Sequence, residues 1–136
     1  MTGAVRNYII KNKIEDVVVS SAGIDLGHFS KPFTAHFDEL TKIGADASGH
    51  KQKLLIQKMI DNETLVVAMD QSQKDYVEKN FNCRCELFSK LAYNTERPIK
   101  IDWSKSDEEI NNQLREMVHD FFKVAPEIIK NVKAVM

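Results

Sequence analysis

Two short runs of apolar, mostly β-branched residues most strongly constrain the fold of this chain. Residues 17–21 read Val-Val-Val-Ser-Ser, and residues 65–69 read Leu-Val-Val-Ala-Met. Both runs are too short and too β-branched for helices, and runs of this kind are typical of strands buried in a parallel sheet. Because helical segments separate these strands, the chain is predicted to form an α/β fold of three layers, α/β/α, around a small parallel sheet.

The predicted helices come from apolar residues that recur at helical spacing. They cover residues 1–13, 32–43, roughly 50–61, 71–80 and a long final segment that follows Ser106. Ser106 and Glu109 form a capping-box pattern at the start of that last helix. Gly44 should stop the second helix, and Pro126 should kink or end the last one. A third strand is predicted at residues 85–88, with loops at residues 22–31, 44–50 and 92–105.

Length, charge and cysteine content narrow the class of protein. The 136 residues predict a single domain over residues 1–136. With 19 basic and 20 acidic side chains the net charge is −1, so no basic excess predicts binding to nucleic acid or to a membrane surface. No apolar run approaches the roughly 20 residues of a membrane span, and the N-terminus lacks the layout of a signal peptide.

Cysteine and histidine usage adds two further expectations. The only cysteines, Cys83 and Cys85, are spaced as neighbours on one face of a strand, which rarely pair. Free thiols indicate a reducing compartment, so a cytoplasmic protein is expected. The four histidines show no metal-ligand spacing, and neither a metal nor another cofactor is expected.

Polar residues follow both apolar runs, which places a candidate site. Ser20 and Ser21 end the first run, and Met69-Asp70 ends the second. In parallel sheets, ligands bind beyond the carboxyl ends of the strands. These residues and the three loops are therefore expected to share one rim of the sheet.

Four short motifs along this rim occur in a recognisable order. They are Ser21-Ala22-Gly23, Gly44 with Ser48 and His50, the run 65–69 ending at Asp70, and Ile101-Asp102 followed by Trp103. In this order and at these spacings they resemble the low-molecular-weight protein tyrosine phosphatases, a family that also contains thioredoxin-coupled arsenate reductases. Lys53 falls near a usual arginine of that family. The resemblance extends over roughly residues 1–122 and favours the phosphatase branch, because the reductases need extra cysteines on a mobile segment.

The resemblance implies a fold and a chemistry. The fold would be the phosphotyrosine phosphatase I-like α/β/α arrangement. The activity would be hydrolysis of a phosphate monoester, on a phosphorylated protein or a small phosphate ester, through a cysteinyl-phosphate. Asp102 would protonate the leaving phenol as the general acid, although Trp103 replaces the proline expected after it. Ser21 and His50 would brace the catalytic loop by hydrogen bonds, and Phe29 and Trp103 would line the cleft.

The sequence departs from the family at the catalytic loop itself. The family begins with an apolar strand running into Cys-x5-Arg-Ser/Thr-Pro, which supplies the thiolate, the arginine and the N–H groups that hold phosphate. No Cys-x5-Arg occurs here: Ser89 stands six residues after Cys83, and Leu91 six residues after Cys85. Residues 1–5 instead resemble the start of the helix after that loop. The expectation is a domain without its first central strand and catalytic loop, inactive as this chain. A start at an internal methionine or a truncated paralogue would produce it.

Simpler roles stay open for each candidate site residue. Asp102 could be a solvated loop carboxylate, and Ser21 could satisfy a backbone group at the end of a strand. His50 could cap a helix, and Phe29 could cover the core. Trp103 shares the polar loop of Asp102.

Packing or capping is favoured over catalysis for the remaining polar and sulfur-containing residues. Asp70 is expected to be the N-cap of the helix at residues 71–80. Cys83 and Cys85 are expected to pack beside a strand. His36 and His119 lie in helices and are expected on the surface.

Two functions from different classes follow. The first is an enzyme of the phosphotyrosine phosphatase type, represented by an incomplete chain. The second is a non-catalytic module that dimerises or binds an anion or a partner. In the family the absent strand lies between the strands at residues 17–21 and 65–69, so its loss exposes two rows of backbone groups. The two strands are therefore expected to pair with each other, or a second subunit to fill the gap as a homodimer.

Overall fold

The computed structural model describes residues 1–24, 35–45, 53–95 and 101–136. Within these ranges the helices are α1 (Thr2–Lys11), α2 (Ala35–Ile43), α3 (Gln71–Asn80), α4 (Phe88–Tyr93) and α5 (Asp107–Val135). The strands are β1 (Leu65–Ala68) and β2 (Arg84–Leu87), and a 3-10 turn covers Gln57–Met59. The chain is therefore an α/β protein with a small parallel sheet. No helix in the described ranges is long and apolar enough to cross a membrane.

The described chain divides into two compact units. The first contains residues 1–21, 35–45 and 101–126, and the second contains residues 22–24, 53–95 and 127–136. Each unit is built around its own buried side chains. The expectation of a single domain over residues 1–136 stays a prediction.

Helix α1 forms where the apolar stripe predicted it and packs in the first unit. Ala4 and Val5 are almost fully buried. A Cβ at Gly3 would lie 3.3 Å from the side chain of Leu40 in α2. The absence of a side chain at Gly3 therefore allows these two helices to approach closely.

Helix α2 ends at Gly44, as the sequence predicted. Gly44 has a φ of +97°, which favours glycine. The N–H of Gly44 donates to the carbonyl of Thr41 at 3.0 Å, and the N–H of Ala45 donates to the carbonyl of Leu40 at 2.9 Å. These two bonds form a Schellman motif, and Leu40 and Ala45 also belong to one buried cluster with Val118.

Helix α5 begins at its predicted cap and supplies much of the first core. The hydroxyl of Ser106 accepts from the N–H of Glu109 at 3.2 Å. Ile110 and Leu114 pack with Ala35, and the same helical face continues through Val118 and Phe121, both buried.

Helix α5 does not end at Pro126 but continues to Val135. A proline inside a helix removes one hydrogen bond and costs roughly 3 kcal/mol. Buried apolar residues lie on both sides of it, Val124 and Ala125 before and Ile128 and Ile129 after. Burying one large aliphatic side chain contributes about 1.5–3 kcal/mol, so burial on both sides offsets the cost. Of the two predicted outcomes at Pro126, a kink or an end, the end is excluded, and the further helical turns expected after Pro126 are present.

The second unit contains a β-α-β segment formed by β1, α3 and β2. The two strands are parallel, with Leu65 opposite Arg84 and Ala68 opposite Leu87. Ala68, Val77 of α3 and Cys85 are buried together between the sheet and the helix. The predicted strands at residues 65–69 and 85–88 and their parallel relation are confirmed.

Residues 17–21 do not form a strand, which corrects the first sequence prediction. The segment lies outside any ladder in the described part of the chain, and the side chain of Val18 is 92% exposed. Its contact with α1 is a hydrogen bond from the guanidinium of Arg6 to the carbonyl of Val19, 3.1 Å long. The partner of β1 in the described residues is β2, so the expected direct pairing of the two runs is not present.

The helix predicted at residues 50–61 is also wrong in the part that the structure describes. Residues 53–56 are extended, and the N–H of Gly23 donates to the carbonyl of Lys53 at 2.8 Å. The N–H of Leu55 donates to the carbonyl of Gly23, and the Leu55 side chain packs against the buried cluster of the second unit. Leu54 is 44% exposed, because successive side chains in an extended segment point to opposite sides.

Helix α4 was missed by the sequence analysis, which placed a strand end and a loop there. Phe88 is fully buried at its first residue, and Asn94 ends it in a left-handed conformation. The side-chain amide of Asn131 donates to the carbonyl of Leu91 at 2.7 Å. A helix of six residues is too short to be stable alone, so these contacts maintain it.

Candidate functional site

Asp102 lies on the exposed loop that leads into α5. Its Oδ1 accepts hydrogen bonds from the backbone N–H of Ser104, 3.1 Å, and from the Ser104 hydroxyl, 2.5 Å. These bonds, the hydroxyl first, hold the pKa of Asp102 below its ordinary value, with a smaller contribution from the charge of Lys105. The carboxylate is therefore ionised at neutral pH and accepts hydrogen bonds in this structure.

The main chain of Asp102 is attached to α5 by one side chain. The Asp102 N–H donates to Oε1 of Gln113 at 2.7 Å, and Nε2 of Gln113 donates to the Asp102 carbonyl at 3.2 Å. One amide group thus satisfies both backbone groups of a single residue. Gln113 was not among the predicted site residues, although its position three residues after the inward-facing Ile110 indicates that it borders the buried face of α5.

The residues on either side of Asp102 point in different directions. Ile101 packs against the cluster of Ala35, Ile110 and Leu114. Trp103 is 59% exposed. The loop is therefore anchored through Ile101 and through the Asp102 backbone, while the carboxylate and the aromatic ring stay accessible.

Of the other predicted site residues, Trp103 directly follows Asp102 in the loop, and the gathering of Ser21, His50 and Phe29 around Asp102 stays a prediction. Ser21 is half-buried at the end of residues 17–21, which have no regular secondary structure. His50 and Phe29 lie outside the described residues. The hydrogen-bond partners of Asp102 in the described residues include Ser104 and Gln113, neither of which was predicted as a site residue.

Asp70 caps α3, as expected. Its Oδ1 accepts from the N–H of Gln73 and from the hydroxyl of Ser72, each at 2.8 Å. The Gln73 side chain in turn accepts from the N–H of Met69 at 3.1 Å. The end of β1 and the start of α3 are thereby joined, and Asp70 has a structural role.

Both cysteines are free and placed for packing. Cys85 is buried beside Ala68 and Val77, and burial raises its pKa to about 11. Burial and the charge of Glu78 raise the pKa of Cys83. A thiol nucleophile needs a lowered pKa, so neither residue is suited to form the cysteinyl-phosphate.

Histidines and acidic residues form no metal site in the part of the chain that the structure describes. His119 lies 2.8 Å from Glu39, joining α5 to α2, and its side chain is exposed as expected. His36 is half-buried rather than on the surface. Of the predicted site residues, Asp102 and Trp103 lie on an accessible loop, and Gln113 and Ser104 form hydrogen bonds to Asp102.

The family resemblance rests on sequence motifs alone. No protein-family model and no curated protein compared with the chain matches it.

Proposed function

We propose that this chain is a scaffold of the low-molecular-weight protein tyrosine phosphatase type, in which Asp102 is the general acid. In this proposal the fold is the three-layer arrangement of that family with its first central strand absent. The reaction class is phosphate-monoester hydrolysis through a cysteinyl-phosphate. The chain alone lacks the Cys-x5-Arg segment, so it should not turn over a phosphate ester by itself.

The Asp102 loop is the observation that carries the proposal. A general acid must stand at a fixed position and still reach the leaving group. The Gln113 bonds fix the main chain of Asp102, and the carboxylate remains at the surface. The exposed ring of Trp103 next to it offers a surface on which a phenyl ring can stack.

The lowered pKa of Asp102 fits a loop without bound phosphate. A carboxylate held by Ser104 is ionised and has no proton to donate. A phosphate dianion a few ångströms away would raise that pKa, because like charges disfavour ionisation. Asp102 would thus become a proton donor only when a phosphate ester is bound.

A non-catalytic binding module is the second candidate, and the exposed side chains of Val18 and Ile10 favour it. Val18 is 92% and Ile10 69% exposed in the first unit. Backbone outside a ladder can pair with another chain. In this alternative the surface would form a homodimer or hold a protein partner.

A fusion tests the first candidate. An apolar strand followed by Cys-x5-Arg-Ser-Pro is added before Met1, and hydrolysis of phenyl phosphate is measured. We expect turnover that disappears when the added cysteine is replaced by serine and falls roughly 10²–10⁴-fold with Asp102→Asn. A fusion that folds by circular dichroism and binds inorganic phosphate but shows no cysteine-dependent turnover contradicts the proposal.

The DNA upstream of the Met1 codon separates the two candidates independently. In-frame codons for an apolar strand and a Cys-x5-Arg loop favour the enzyme, whereas an in-frame stop codon favours the module. For the module, a dimer of the chain by light scattering that Val18→Lys dissociates would be the supporting result. A monomer at all concentrations would contradict the homodimer.

A further inference from the structure

We infer that Gln113 is the positioning residue of Asp102, fixing the main chain of the proposed general acid against helix α5. The inference deepens the proposed function, and its catalytic part rests on that function. Its structural part stands on the described contacts alone.

The geometry gives Gln113 this role because its amide binds both backbone groups of Asp102. Oε1 accepts from the Asp102 N–H at 2.7 Å, and Nε2 donates to the Asp102 carbonyl at 3.2 Å. A rotation of the Asp102 backbone would break at least one of these bonds. The side chain of Asp102 takes part in neither bond, so the carboxylate remains available for other contacts.

Helix α5, which carries Gln113, is fixed by buried side chains. Ile110 and Leu114, on the same turns of α5, are 3% and 4% exposed and pack together in one cluster. Ser106 caps the first turn of the helix. Gln113 projects from helix α5, which is fixed by its buried side chains. The Asp102 loop is therefore fixed in position as well.

Ser104 acts on a different part of Asp102. It donates to the carboxylate oxygen, whereas Gln113 binds only the backbone groups. The position of the residue and the orientation of its carboxylate therefore depend on two different side chains. A substitution at one should leave the other contact in place.

The second unit contains a matched arrangement that serves as a control. The N–H of Asn82 donates to Oε1 of Gln57 at 3.0 Å, and Nε2 of Gln57 donates to the Asn82 carbonyl at 3.2 Å. The geometry resembles that of Gln113 and Asp102. Gln57→Ala should therefore release Asn82 and leave Asp102 unchanged.

The first experiment uses the 136-residue chain and measures amide hydrogen exchange at Asp102 by NMR. Gln113→Ala should raise the exchange rate of the Asp102 amide about tenfold, the effect of losing one hydrogen bond. Gln113→Glu keeps the acceptor and should retain most of the protection. Unchanged exchange in Gln113→Ala overturns the inference, as does an equal rise in Gln57→Ala.

The second experiment uses the fusion and two leaving groups. Gln113→Ala should lower kcat/KM for phenyl phosphate at least tenfold, because kcat/KM reports formation of the cysteinyl-phosphate and phenolate leaves poorly without a proton. It should change kcat/KM for 2,4-dinitrophenyl phosphate less than twofold, because that group leaves without protonation. Gln113→Glu should recover part of the loss. A purely structural role would slow both substrates equally, and that result overturns the catalytic part of the inference.

The two experiments separate the two proposals. Faster exchange at Asp102 in Gln113→Ala together with an inactive fusion refutes the proposed function and supports the anchoring by Gln113. An active fusion with unchanged exchange at Asp102 supports the proposed function and refutes the role of Gln113.

Discussion

Residues 17–21 and strand β1 each contain a short apolar run with at least two valines, but only the second forms a strand in the described chain. Val-Val-Val-Ser-Ser remains outside any ladder in the described chain, whereas Leu-Val-Val-Ala becomes a strand. The range of intrinsic strand propensities is only about 1 kcal/mol, so composition cannot separate the two. Strand β1 meets β2 directly after the short helix α3, and the two strands form a complete register. Whether an apolar run forms a strand therefore depends on a partner strand, which for β1 is the next strand in the sequence.

The largest expected effect comes from placing a charge in each region. Ala68→Asp puts a carboxylate into the core of the second unit, where Ala68 is 4% exposed. An unpaired buried charge should lower the free energy of unfolding by roughly 3–5 kcal/mol. Val18→Asp, at 92% exposure, should change it by less than about 0.5 kcal/mol. Urea unfolding followed by circular dichroism measures both, and equal effects would show that residues 17–21 are buried after all.

The next effect concerns pH and helix α1, which lies beside residues 17–21. Burial lowers the pKa of the Met1 α-amino group from 8.0 to about 5. The unfolded chain then binds more protons between these values, so the stability rises with pH across this window. A chain with a free α-amino group at Met1 should be about 2 kcal/mol less stable at pH 5 than at pH 7.

Acetylation supplies the control for this pH effect. An acetylated Met1 has no titrating amine, so this part of the pH dependence should disappear. Fluorescence of the single tryptophan, Trp103, follows unfolding of the first unit. The same pH dependence in acetylated and free chains would mean that the α-amino group is not its source.

A smaller change in the free energy of unfolding should distinguish the polar residues that follow the two apolar runs, residues 17–21 and β1. Asp70→Ala removes the N-cap of α3 and should lower the free energy of unfolding by about 1 kcal/mol. Ser21 ends the run that has no ladder partner, so Ser21→Ala should change the free energy of unfolding by less than about 0.5 kcal/mol. Chemical denaturation measures both. A larger loss for Ser21→Ala would indicate that the end of the first run is held as firmly as the end of β1.

A substitution at Ser104 should have the smallest effect on stability but a clear effect on the pKa of Asp102. Ser104→Ala removes the hydroxyl that is the largest cause of the lowered pKa of Asp102. The pKa of Asp102 should rise toward its ordinary value, while the free energy of unfolding changes by less than about 0.5 kcal/mol. Carboxyl carbon shifts in an NMR titration report the pKa. Ser72→Ala is the control, because its hydroxyl binds Asp70 instead.

The sequence predicted the N-cap at Asp70 from its position before α3, because capping depends on neighbours in the chain. Asp102 was selected from its motif, and its role as general acid stays a proposal. Gln113 was missed, because nothing local links it to a backbone group eleven residues earlier. The bracing roles of Ser21 and His50 stay predictions, since His50 lies outside the described residues.

The sequence by itself determined α1, the end of α2 at Gly44, the start of α5 and the parallel strands β1 and β2. These features follow from apolar spacing, caps and a glycine at positive φ, all of which act within a few residues. Tertiary structure alone decided three others. Residues 17–21 have no ladder partner in the described chain, and α5 continues past Pro126. The backbone of Asp102 is bound by Gln113. Each of these depends on groups brought together from distant parts of the chain, whose contact free energies exceed the local preferences.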